Sequence, residues 1–393
     1  MRDIPFSAPY TLRLASSVAE FARDEWNALV TDETIPFLEW EWLAALEGSE
    51  SICPRTGWYP FHLSLWKKEK LLAVSPLYLK SHSDGEFVWD YFWAEAAAGM
   101  GRRWYPKLVG TTPATPALGY RFLVLPGEDG AELNALLLDA AERLCRANGI
   151  RGVHFLFADP AWAREKGSLV ERGYSGWEHQ RFEWINEYAD FDDYLSRFNK
   201  NQRKNIRREY RRHNEQGILL DIVENAPPDY FKHIHELYAI TNDKFIPWDA
   251  RWVNEDFFLR LEKTFRRRVV FSSARHNGKE EPLALAMMIR KGKKIWGRYW
   301  GAYGDVKDLH FACCYYAPMD YCIREGIAYF DPGIGSPHKI RRGFRACADT
   351  SYHKFFDPAL EALFTANIET VNSREQSGIA ALNLDLPFKT KTL

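Results

Sequence analysis

The strongest constraint in the sequence is a succession of elements that occurs twice. Phe61 to Trp66, a charged tip at Lys67-Lys-Glu-Lys70 and Leu71 to Leu79 read as a hairpin, because apolar residues alternate before the tip and run on after it. Arg268 to Ala274, the tip His276-Asn-Gly-Lys-Glu280 and Leu283 to Ile289 repeat that layout. Each hairpin leads to a helix and then a strand. Leu133 to Ala147 stops at Asn148-Gly149 and enters Ile150 to Phe157, while Tyr315 to Glu325 stops at Gly326 and enters Ile327 to Asp331. Glycine suits both junctions because it ends a helix in the left-handed conformation without steric cost. A helical pattern from Pro160 to Arg172 and the alternating run His179 to Trp184 complete the first half. Thr350 to Phe356 and a helix from Pro358 to about Thr370 complete the second. This order predicts an α/β (α+β) fold with mixed central sheets, in two halves spanning 1–187 and 188–393. One large mixed sheet whose halves are alike by accident is the alternative. With 46% hydrophobic and 27% charged residues, the 393-residue chain has enough apolar surface for such cores, which excludes a lone small module or a disordered chain.

Charge and motifs remove further classes. The 52 basic and 53 acidic residues give a net charge of −1, so affinity for any polyanion has to be local. Met1 to Phe6 lacks the apolar core of a secretory signal, and no apolar run approaches the ~20 residues of a membrane helix. A cytoplasmic protein with no membrane span is expected. Cys53, Cys145, Cys313, Cys314, Cys322 and Cys347 form neither C-x-x-C pairs nor zinc spacings, and read as reduced thiols with no metal site. A P-loop, H-E-x-x-H, G-x-G-x-x-G and G-x-S-x-G are all missing, so ATP-dependent ligation, zinc hydrolysis, dinucleotide redox chemistry and a serine nucleophile lose their signatures.

At the start of the second half, Phe198 to Gly217 reads as a helix with Lys200, Arg203, Lys204, Arg207, Arg208, Arg211 and Arg212, relieved by Glu209. Steps of three and four put most of these cations on one broad face. Such density is self-repelling and points to an anionic partner: the phosphates of a tRNA, a nucleotide, a pantetheine carrier or a lipid headgroup. The structural alternative is a solvated helix neutralised by Asp190, Asp192 and Asp193 just upstream. A non-catalytic RNA-binding protein using this helix with Tyr210 and Tyr230 is a rival from another class, although the net charge of −1 speaks against a broad footprint. No DNA partner is expected.

Asn199-Lys-Asn-Gln-Arg-Lys-Asn-Ile-Arg-Arg208 resembles the basic helix start of Fem-type N-acyltransferases. Longer stretches are similar to the FemAB-like family of N-acyltransferases: Pro76 to Glu86 with Trp89-Asp90, Tyr105 to Leu108, Thr115-Pro116, Gly297 to Gly301, His310-Phe311 with Cys314 to Tyr316, His338 to Ile340 with Arg342 to Phe344, and Pro387 to Lys389. The resemblance implies two GNAT-type acyltransferase folds in tandem and transfer of an acyl or aminoacyl group to an amine. Two departures stand out. Ala312 follows His310-Phe311 where the family has an acidic residue, and Gly333-Ile-Gly-Ser-Pro-His-Lys339 lacks a Gln and a Glu of the family's loop.

Amide formation from an ester or thioester needs a deprotonated amine, a polarised carbonyl and a proton for the leaving group. Residues just beyond strand ends converge on a crevice in such sheets. The candidates in the second half are therefore Asp331 or His338 as base, Tyr316 as donor to the leaving group and His310 beside them. Arg298, Tyr299, Trp300, Tyr315, Lys339 and Arg342 are candidates for substrate binding, with Lys80, His82 and Trp89 as their first-half counterparts. His310 and Tyr315 as packing residues, and Arg298 as a partner of Asp331, are the bland alternatives. Lys200, Arg203, Lys204, Arg207, Arg208 and Arg211 would take donor phosphates. No bound cofactor is expected. Glu95-Ala-Ala-Ala-Gly-Met-Gly101 has the glycine spacing of a pyrophosphate loop but not its first residue. That absence, together with the basic helix, resembles Fem-type enzymes, and the resemblance implies aminoacyl-tRNA as co-substrate in preference to acyl-CoA or an acyl-carrier protein, with the amine of a small molecule or peptide as acceptor.

Overall fold

The hairpins form where the alternation puts them. In the computed structural model, which describes residues 1–6, 8–244, 251–335 and 337–389, strands His62–Lys67 and Lys70–Ser75 pair antiparallel with Leu63 opposite Ser75. Strands Val269–His276 and Ala284–Lys291 do the same with Val269 opposite Ile289. The chain separates into two compact units, Met1–His179 with Ala348–Gln376, and Gln180–Cys347 with Ser377 onward.

Each unit is built around a parallel strand pair bridged by a helix, the usual crossover connection. In the first, Lys107–Gly110 runs parallel to Gly152–Phe155, and helix Gly130–Ala147 lies between them in the chain. Asp129 caps that helix by accepting from the Glu132 N–H, and Leu133, Leu137, Leu138, Ala141 and Cys145 form its buried stripe. A separate five-stranded antiparallel sheet carries the first hairpin. In the second unit, Lys294–Ala302 runs parallel to Tyr329–Asp331 with a helical segment from Leu309 to Arg324 between them. The duplicated order of the sequence thus recurs as a duplicated strand–helix–strand core.

Order along the chain does not say which sheet a closing strand joins. Tyr352 in strand Arg345–Phe355 pairs with Phe155, and Trp184 in strand Ser175–Ile185 pairs with Phe330. Residues 348–376 therefore belong with the first unit, although a division by sequence order falls near residue 187. Two helix lengths also differ from the pattern. The helix at Pro160 ends at Arg164, and the chain then turns through Gly167 at φ +74°, a conformation that breaks a helix. The last helix runs on from Pro358 to Leu384, where Asn383 bonds the backbone of Ala346 through both its amide oxygen and nitrogen.

Close approach of backbone decides one glycine. A Cβ on Gly301, in strand Lys294–Ala302, would lie 2.1 Å from the Leu237 carbonyl oxygen of helix Asp229–Asp243. Gly301→Ala is expected to cost about 1–3 kcal/mol through overpacking, read as a lower urea midpoint. An unchanged midpoint would mean that the helix shifts without cost. Among the described residues no helix is long and apolar enough to cross a membrane.

Candidate functional site

Helix Lys200–Glu215 starts at Asn199, whose side chain accepts from the Gln202 N–H, and it buries Ile206 and His213. Asp190 is occupied in capping its own short helix, Asp193 pairs with Arg197, and Asp192 reaches Arg207 at 3.3 Å. Arg212 pairs with Asp308. Neutralisation by the upstream acids therefore extends to Arg207 alone. Lys200, Lys204, Arg208 and Arg211 are exposed and Arg203 is half-buried, and among the described residues none of the five has a carboxylate partner.

The inner edge of this helix is one wall of a cavity of about 770 Å³. Gln202, Asn205, Arg208 and Glu209 line it from the helix, opposite Phe311, His338 and Arg342. The opposing side chains are set by a widened helix. Pro318 has no N–H for the Cys314 carbonyl, and the segment from Leu309 to Arg324 opens into a π-turn over Ala312–Tyr316. That turn sends successive tyrosines to different partners: Tyr315 to His338 Nε2 at 3.0 Å, Tyr316 to Glu209. Arg342 is buried; its Nη2 donates to Glu209 at 2.8 Å, its Nη1 to the His338 carbonyl at 2.9 Å, and its guanidinium lies 3.3 Å from the Phe311 ring centre. Glu209 reads in the sequence as mere relief of positive charge. In the fold it ties the basic helix to the turn that carries His338.

His338 packs 5.9 Å from His310, which also meets Trp300 at 5.3 Å and Tyr315 at 5.4 Å. Burial, then the charges of Arg342 and Lys339, pushes His338 down to about 4. Burial and the neighbouring His338 push His310 down to about 3. Both imidazoles are neutral at pH 7. Burial raises the Tyr315 phenol well above its ordinary value, so it keeps its proton. Asp331 and Lys339 lie outside the cavity wall with Arg298. Asp331 accepts from the Gly333 N–H at 2.7 Å, and Lys339 donates to the Gly333 carbonyl at 2.6 Å. Burial lowers Lys339 to about 8 against the opposing pull of Asp331, and Arg298 feels the same carboxylate. Tyr299 is a correction to the sequence reading. It packs with Tyr238 at 5.3 Å and Phe258 at 5.0 Å as part of the core, because alternate strand residues face opposite sides. Tyr316, buried and bonded to Glu209, is likewise unavailable to a leaving group.

In the first unit, Lys80 is fully buried, donates to the Asp84 carbonyl at 3.0 Å and sits 3.6 Å from the Trp58 ring centre; burial lowers it to about 7. His82 accepts from the Asp84 N–H at 3.2 Å, and Trp89 is half exposed beside Phe87. Neither is part of the charged centre next to them. That centre is Lys107, which bonds Glu86 at 2.7 Å and Asp90 at 2.5 Å, while Asp90 also takes the Tyr105 hydroxyl and the Trp104 indole. Glu86, Asp90, Tyr105 and Lys107 all lie in stretches legible in the sequence, yet nothing in their spacing shows that they meet.

A second buried chain links His154 to His353 (2.7 Å), His353 to Ser351 (2.7 Å) and Ser351 to His179 (2.6 Å). Burial holds His154 and His353 well below the ordinary histidine value and His179 down to about 3. The unfolded chain would take up protons near pH 6.5 that the fold excludes, so their contribution to stability is complete above that pH and is lost as pH falls below it. At pH 5.5 the loss is about 1.4 kcal/mol per histidine. Urea midpoints at pH 7.5 and 5.5 check this, and equal midpoints would mean that the histidines are charged in the fold. Among the described residues no group of three or more potential ligands is placed to hold a metal ion.

The sequence pattern that defines the FemAB-like family, described as peptidoglycan biosynthesis/recognition, matches residues 17–390. The chain belongs to the FemAB-like family. No curated protein matches its sequence. The crystal structure of FemX is similar at a TM-score of 0.53 and 13% identity, covering 88% of this chain and 98% of FemX. At that identity the likeness shows the fold alone. L-PGS from Bacillus licheniformis (11% identity, 83% of this chain and 95% of that chain, TM-score 0.46) and a tandem GNAT protein from the clavulanic acid biosynthesis pathway (12%, 89% and 99%, TM-score 0.42) are also similar. The FemAB-like chain thus shares the mixed α/β fold of FemX. One of its departures from the family pattern lines the cavity. Ala312 is buried at the start of the π-turn, and Pro337 lines the cavity where the family has an acid. A Cβ on Gly335 would lie 2.9 Å from Lys339 Nζ, and Ser336 lies outside the described residues.

Proposed function

We propose that this FemAB-like protein forms an amide by moving an aminoacyl group from aminoacyl-tRNA to the amine of a small molecule or peptide, at the cavity lined by Arg208, Glu209, Phe311, His338 and Arg342. One observation carries the reading: the helix with unpaired cations on its outer face is also a wall of the cavity that contains a neutral histidine. Phosphates bound along Lys200, Lys204, Arg208 and Arg211 would deliver an attached ester to that wall. The acceptor nitrogen attacks the ester carbonyl, an N–C bond forms, and the C–O bond to the ribose breaks. His338 takes the proton from the amine. As an acid with a depressed pKa it readily passes that proton to the departing ribose oxygen. Tyr315 holds the imidazole in place, and Glu209 aligns the His338 turn through Arg342.

The segment Glu95 to Gly101 supports this donor over acyl-CoA. It is the end of helix Tyr91–Gly99 and the turn after it, the reverse of a glycine loop feeding a helix start. Binding tests the choice. Fluorescence anisotropy with labelled tRNA is expected to show an affinity that falls with salt at a log–log slope of about −3 to −4, four phosphate contacts' worth. Saturable CoA binding with no tRNA binding would overturn the reading.

A further inference from the structure

The first unit contains a cavity that the proposed chemistry leaves unused. It measures about 690 Å³ and is lined by Arg102, Arg146 and Arg151 with a single acid, Asp357. The arginines come from three separate places in the chain: beyond helix Tyr91–Gly99, in the last turn of helix Gly130–Ala147, and at the entry to strand Gly152–Phe155. Ile150 and Phe356 supply its apolar wall, and Gly149, Pro358 and Ala359 complete the lining with little side chain to fill it.

The donors facing this space are largely unused. Arg102 approaches Asp357 at 3.8 Å, the one ion pair there among the described residues, and Asp357 also caps Ala359 at 2.9 Å. Arg146 lies over the Phe356 ring at 4.3 Å, a cation–π contact that takes up no hydrogen-bond acceptor. Arg151 is anchored through its backbone, donating to the Pro106 carbonyl and accepting from the Phe356 N–H, both at 2.9 Å, while its buried Nε has no acceptor. Three guanidiniums against one carboxylate repel one another. The positive end of the 27-residue helix from Pro358 adds to the same field. A tetrahedral dianion with several acceptor oxygens relieves all of this at once.

We infer that this cavity binds a phosphoryl group, supplied by a free phosphate or pyrophosphate or by an RNA phosphodiester. The inference does not depend on the donor reading above, because it concerns other residues in another unit.

Calorimetric titration of the full chain with inorganic pyrophosphate tests it, with labelled tRNA in a second arm. Arg146→Gln with Arg151→Gln is expected to weaken pyrophosphate binding at least tenfold, while Arg260→Gln, at an exposed arginine paired with Asp256, leaves it unchanged; unliganded melting curves establish that the double variant folds. If pyrophosphate does not bind but tRNA binding weakens severalfold in the double variant, the site holds and its phosphoryl group comes from RNA. Should both ligands bind the double variant as they bind the natural protein, or should neither bind the natural protein at all, the inference fails. Arg146→Lys with Arg151→Lys, which keeps the charges but loses the planar forks, guards against a merely general field: full retention of binding in it would overturn the built site.

Discussion

Lys107→Met is expected to destabilise the first unit by about 3–5 kcal/mol, the cost of removing one partner from a buried ion cluster. Lys107 is 2% exposed and stands between Glu86 and Asp90, both equally enclosed. Burial has pushed Glu86 up to about 7, so without Lys107 it would protonate. Asp90 is different, since Lys107 holds it below its ordinary value against the penalty of burial, and its charge would be left with only the Trp104 and Tyr105 donors. Combining Lys107→Met with Glu86→Gln and Asp90→Asn should recover most of the loss, because neither carboxylate is then left charged without its partner. Urea unfolding measures both. A single variant within about 1 kcal/mol of the natural protein would show that water reaches the cluster.

The second large effect concerns the basic helix. Reversing Lys204 and Arg208 together is expected to lower aminoacyl transfer at least about 100-fold, since each removes a charge-assisted bond of about 1.5–3 kcal/mol. Arg207→Glu should matter much less, because Arg207 already faces Asp192. Equal losses from the two changes would indicate a general field in place of a docking face.

Periodicity made much of this fold legible. The hairpins, the helix ending at Ala147 and the strands after Gly149 and Gly326 follow from local alternation and from glycine at helix ends. The partners of the closing strands do not. Both Ser175–Ile185 and Arg345–Phe355 alternate as any half-buried strand does, and the pairings Tyr352–Phe155 and Trp184–Phe330 are long-range choices made by packing. At the site, the basic run and His338 were readable as residue types. Glu209 and Phe311 were not, because their roles come from a π-turn that rotates Tyr315 and Tyr316 apart and from a guanidinium that reaches across to the helix. Strand parity explains Tyr299: a neighbour of Trp300 in sequence, it belongs to the opposite face.

The central claim is that the donor is held by the basic helix and reacts beside His338. Its most direct test is transfer of label into a new amide in a cell extract that supplies acceptors, offering labelled aminoacyl-tRNA in one reaction and labelled acyl-CoA in another. The account predicts label from aminoacyl-tRNA alone, lost in Lys204→Glu with Arg208→Glu and strongly reduced in His338→Ala. Label from acyl-CoA that persists in all of these variants would contradict it.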